Sequence, residues 1–121
     1  MNDQPLVPPP AELAWLVDVI GAAATLRLIE ARGGTRLYVP RAVTQASALA
    51  REIGLAEARL MTTAPFAGDT ITVPVARHWR VRQYRAAGLS QAAIARRLGC
   101  HEDTVWRLLR SAQTEQMSLP L

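Results

Sequence analysis

Lysine is absent: all 14 basic residues are arginine, set against 10 acids for a net charge of +4. Cysteine is nearly absent. The single Cys100 excludes an intrachain disulfide, and a reducing cytoplasmic compartment is the simplest expectation. No apolar run reaches the roughly 20 residues that a membrane-spanning helix needs, and the Pro-rich N-terminus carries neither a basic region nor a secretory signal. Metal-ligand spacing is lacking too. Cys100 and His101 are adjacent, His78 is distant in sequence, and no second cysteine or paired histidine completes a site, so neither metal nor cofactor is expected. There is no glycine-rich phosphate loop, no paired-carboxylate motif and no Ser/His/Asp set, and the chain is expected not to be an enzyme.

Half of the 121 residues are hydrophobic, so a folded chain is expected, with one modest core or two small units. The charge is unevenly placed. Between Arg77 and Arg110 eight arginines are set against only Glu102 and Asp103, whereas the first 76 residues hold six arginines and seven acids. A positive field concentrated on one segment is what phosphate neutralisation requires. Arginine suits phosphate and guanine contacts; a GC-rich genome that encodes Arg in place of Lys accounts for its exclusive use as well.

The positive segment contains a helix-turn-helix pattern from Leu89 to Arg110. Ser90 is a good N-cap for a short helix over Gln91 to Leu98. Ile94 and Leu98 share a face, Ala95 is small enough for a second helix to cross, and Gly99 suits a left-handed helix end. The second helix is expected from about Glu102 to Ala112, with Val105, Leu108 and Leu109 inward. His101, Glu102, Asp103, Trp106, Arg107 and Arg110 are left outward, the face that a major groove needs. The candidate DNA contacts are Arg107 and Arg110 to phosphate or guanine, Ser90 and Thr104 to phosphate, and His101, Glu102 and Asp103 to base edges. Gln91, Trp106, Arg80, Arg85 and Arg97 complete the set. The plainer alternative is a helical hairpin with a solvated arginine face. Before the motif, Val75 to Ala87 reads as a first helix, with Val81 and Tyr84 facing the next two and its arginines flanking phosphates or merely solvated. Trp79 lies off that face and is expected to dock the motif onto the preceding segment. Cys100 reads as a small apolar residue in the turn.

The first 76 residues contain a repeat. Leu16, Ile20 and Gly21 match Leu49, Ile53 and Gly54 at an offset of 33, and Gly34, Val39 and Pro40 match Gly68, Val73 and Pro74 at an offset of 34. Each copy reads as helix, glycine break, helix, glycine turn, short strand and proline stop. Leu37 to Val39 and Ile71 to Val73 are too short to stand alone, and pair either within the chain or with a partner chain. The expected fold is therefore mainly α with a small β element: two helix-helix-strand repeats, then a three-helix unit with a C-terminal helix-turn-helix. The expected division is a Pro-rich arm over 1–10, the repeat as an interaction unit over 11–76, the DNA-binding unit over 77–112, and a polar frayed tail over 113–121. Asp69 in the second glycine turn needs only a backbone explanation.

The block Gly33 to Arg41, with Tyr38-Val39-Pro40, followed by the terminal motif with Thr104-Val105-Trp106, resembles the Mor transcription activator family of Mu-like phages. The resemblance implies a homodimer held by N-terminal helices and strands, two helix-turn-helix units on adjacent major grooves of double-stranded DNA, and contact with host RNA polymerase. The family passes from its proline to its helix-turn-helix more directly, whereas here a second helix-strand unit intervenes. The reading is a cytoplasmic, nucleoid-associated regulator with no membrane partner. Its rivals are a phage packaging or recombination accessory of small-terminase type, which would form a ring, and a protein-interaction module that never touches DNA.

Overall fold

The computed structural model describes residues 7–118, with side chains through Ser111. It is mainly helical with one two-stranded ribbon, in the order α1 (Ala11–Arg32), β1 (Arg36–Tyr38), α2 (Ala48–Ile53), α3 (Leu55–Thr62), β2 (Thr70–Thr72), α4 (Arg77–Ala86), α5 (Gln91–Leu98) and α6 (Glu102–Ser118). Contacts divide the chain into two compact units. One covers residues 9–75, and the other covers residues from 76 onward together with the short segment around Val7.

In the first unit, Pro10 in an extended conformation opens α1, where its missing N–H costs nothing. The helix is broken in its middle at Gly21, whose φ of 84° and ψ of 165° suit glycine. Thr25 Oγ1 donates to the Gly21 carbonyl at 2.7 Å, a side-chain bond that bridges the first turn after the break. Gly54 separates α2 from α3 with nearly the same geometry, φ 105° and ψ 146°. The two repeat copies therefore break at matching glycines. Leu13, Leu16 and Leu28 of α1, with Ile53 and Met61, have no exposed surface. Burial of each contributes about 2 kcal/mol.

The strands pair antiparallel within the chain, Arg36 opposite Thr72, Leu37 opposite Ile71 and Tyr38 opposite Thr70. Leu37 and Ile71 are also repeat equivalents, so a local two-fold axis passes between them. The flanking hydrogen bonds obey it. Gly34 N–H donates to Val73 O at 2.8 Å and Gly68 N–H to Val39 O at 2.7 Å; Val39 N–H donates to Asp69 O and Val73 N–H to Thr35 O, both at 2.9 Å. Even the cover is reciprocal: a Cβ on Gly34 would meet Val75, and one on Gly68 would meet the guanidinium of Arg41. Unit 1 is thus a pseudo-symmetric pair of helix-helix-strand copies fused in one chain.

In the second unit, α4, α5 and α6 pack on one another. The first of them begins at Arg77, two residues later than the sequence suggests, because Ala76 adopts a left-handed conformation (φ 49°, ψ 45°) that stops the helix from extending back. The last runs to Ser118, beyond the expected Ala112. No glycine or proline lies between Glu102 and Ser118 to end it sooner. Residues 1–6 of the expected arm and 119–121 of the expected tail lie outside the described residues.

Trp79, expected to dock the motif onto the preceding segment, has its hydrogen-bond partner in the segment around Val7. It is 1% exposed, and its Nε1–H donates to the Val7 carbonyl at 2.9 Å. Gln83, one turn on, accepts the Val7 N–H through Oε1, also at 2.9 Å. Val7 is clamped at both its polar backbone groups by one face of α4, and it belongs to the same unit as that helix.

Candidate nucleic-acid interface

The three-helix unit is built by local rules. Ser90 caps α5, its hydroxyl oxygen accepting the Ala93 N–H at 3.1 Å. Gly99 ends the helix with φ 67° and ψ 40° and donates to the Ala95 and Arg96 carbonyls, while Cys100 N–H donates to the Ala95 carbonyl at 3.0 Å. That left-handed turn reverses the chain into α6. Ile94 and Val105 have no exposed surface and Ala95 is 5% exposed, so the crossing of α5 and α6 is closed by one small and two branched side chains. Gln91 Nε2 donates to the Glu102 carbonyl at 3.0 Å, tying the start of one helix to the start of the other.

With Val105 inward, α6 presents Asp103, Trp106, Arg107 and Arg110 to solvent at three- and four-residue spacing. Arg110 lies over the Trp106 ring, 4.9 Å from its centroid, and Trp106 is half exposed. Arg107 Nη2 donates to Thr104 Oγ1 at 3.3 Å, a contact at the surface. Glu102 and Asp103 occupy the first turn, where the helix dipole favours acids. His101 is exposed just before them. Between α5 and this turn lies a cleft of about 350 Å³ whose rim includes Arg96, Cys100, His101 and Glu102.

The remaining arginines sort by exposure. Arg85 and Arg97 are exposed, with Arg97 over the Tyr84 ring at 5.5 Å from its centroid. Arg80 departs from the expected contact set. It is only 8% exposed, and its guanidinium donates to Tyr84 Oη at 3.3–3.4 Å and to the Arg97 carbonyl at 3.4 Å. A guanidinium held inside the unit between α4 and α5 is not presented to a phosphate. Tyr84, one turn on from Arg80, was the only sequence signal for this. Gln91 likewise serves first to join two helices. Arg96, exposed on α5 beside His101, is absent from the sequence-derived set; its neighbours across the turn become visible only in three dimensions.

Residues 78–116 match the family model of the Homeodomain-like domain. That assigns the three-helix unit to a DNA-binding helix-turn-helix class. It does so without singling out the Mor activators. No curated protein and no solved structure matches the chain. The coarse function that follows is DNA binding by a regulator. No described helix is long and apolar enough to cross a membrane.

Proposed function

We propose that the chain is a sequence-specific transcriptional regulator, phage or prophage related, that reads the major groove with α6. The observation that carries this is the single exposed face of Asp103, Trp106, Arg107 and Arg110 on a helix whose opposite side is closed by Val105 against α5. Arg107 and Arg110 meet phosphate or guanine, His101, Glu102 and Asp103 choose bases, and Ser90 and Thr104 donate to phosphates. The two acids repel phosphate and so favour selectivity over raw affinity. Arg85, Arg96 and Arg97 supply flanking phosphate contacts.

A homodimer on a two-fold operator, and contact with host RNA polymerase, are the parts of this reading that the Mor resemblance supplies. The strands that such a dimer would pair between chains are already paired within this one, so two chains on one operator meet through another surface. A ring-forming packaging accessory is the rival role, and native mass separates them: a dimer favours the regulator, a large ring the packaging accessory.

The test is binding of fluorescent genomic fragments across a salt series, comparing the natural chain with Arg107→Ala plus Arg110→Ala. Loss of two phosphate contacts lowers the slope of log K against log salt by about 2. A folded chain that binds no fragment at low salt would sink the reading.

A further inference from the structure

The pseudo-two-fold axis of the first unit offers an internal control, because every surface feature has a counterpart on the other copy. Where the first helix of one copy meets the turn after the second helix of the other, Trp15 packs edge-on against Phe66, with ring centroids 5.2 Å apart. The repeat offsets place Ala48 where Trp15 stands and Arg32 where Phe66 stands. The counterpart is therefore vacated. It is a cleft of about 530 Å³ lined by Ala31, Arg32, Arg36, Ala48, Arg51 and Glu52, with Thr35 at its edge.

The charge of the vacated slot has changed with its shape. Arg32 Nε donates to both Glu52 carboxylate oxygens at 2.9 Å, and that bond, then the charge behind it, raises the Arg32 pKa above its ordinary value. Glu52 is thereby spoken for. Arg36 and Arg51 make no side-chain hydrogen bond or ion pair among the described residues. Their counterparts in the filled slot are Thr70 and Asp18. Three arginines against one acid, with two exposed alanines in the lining, form a site for a negative charge carried on a flat apolar body. The volume falls within the ~300–1,000 Å³ of small-molecule sites.

We infer that this cleft binds a small aromatic carboxylate, its ring lying over Ala31 and Ala48 where the other copy holds the Trp15 indole, and its carboxylate on Arg36 and Arg51. Guanidinium suits that recognition because its planar fork matches the two carboxylate oxygens. The site lies wholly in the first unit and does not depend on the helix-turn-helix.

The experiment titrates the full, isotope-labelled chain with indole-3-carboxylate and, as the neutral control, with indole, following backbone amides by NMR. Indole-3-carboxylate moves the amides of residues 31–36 and 48–52, with a Kd on the order of 1 mM for so small a probe, and indole does not. Arg36→Gln with Arg51→Gln weakens binding at least about tenfold, and Ala48→Trp, which rebuilds the filled slot, abolishes it. Amide dispersion reports whether each variant is folded, and the glutamine pair decides if Ala48→Trp is not. Equal shifts with indole, unmoved amides, or binding that survives the glutamine pair would each overturn the proposal. So would a glutamine pair that loses DNA affinity and salt dependence while the probe moves no amide, since the arginines would then belong to a DNA contact.

Discussion

Replacing Gly99 by alanine isolates the backbone cost of the turn between α5 and α6. Gly99 sits at φ 67°, and a Cβ built there meets nothing within 4 Å. Any loss is therefore conformational and not steric. A left-handed residue with a Cβ costs about 1–2 kcal/mol relative to glycine. Alanine also reduces the freedom of the unfolded chain, which returns about 0.4–1 kcal/mol. The net expectation is a loss of about 0.5–1 kcal/mol for Gly99→Ala. Asparagine tolerates this region, so Gly99→Asn falls between glycine and alanine, whereas Gly99→Val, β-branched, costs more than either. Urea unfolding by circular dichroism, with the slope held constant across the series, gives the ranking. Equal losses for Asn and Ala, or a loss above about 3 kcal/mol for Ala, would refute the reasoning, because the second result needs a clash that open space around the Cβ does not supply.

Arg80→Ala and Arg85→Ala should part company. The first removes the bonds to Tyr84 and the Arg97 carbonyl and lowers stability by about 1–2 kcal/mol; the second leaves the melting temperature in place and reduces DNA affinity at low salt, both read on the same preparations. Gln83→Leu deprives the Val7 N–H of its acceptor, at a cost of about 1–3 kcal/mol, and hydrogen exchange at the Val7 amide accelerates. Ala76→Gly relieves the left-handed strain while adding unfolded-state freedom, so thermal unfolding shows a small gain, at most about 1 kcal/mol; a clear loss would mean that the Ala76 methyl packs against something essential.

Much of the architecture was legible because it rests on short-range chemistry. Ser90 and Gly99 mark the ends of α5 through their own backbone preferences, and Ile94, Ala95 and Val105 carry the crossing by size and spacing alone. Gly21 and Gly54 announce breaks that a helix-favouring alanine-rich context would otherwise hide. The features that escaped are decided at long range. Arg80 looks like any other arginine of a basic helix until Tyr84 and the Arg97 carbonyl close around it. Val7 sits in a proline-rich stretch with nothing local to say that Trp79 and Gln83 will grip it, 72 and 76 residues away. Whether β1 and β2 pair with each other or across chains is a question of partners, on which a three-residue strand is silent. The correspondence of Trp15 with Ala48 was written in the repeat, but its meaning required knowing that both copies share one axis.

The ribbon that joins those copies has a thermodynamic consequence. Where two separate chains meet along paired strands, the folded fraction depends on how much protein is present, and dilution dissolves the arrangement. Here Leu37 and Ile71 are tethered on one polypeptide, so their encounter is a loop closure with a fixed effective concentration. The first unit has no dissociation constant of its own, and it stays assembled in a cell that holds a single copy of the chain.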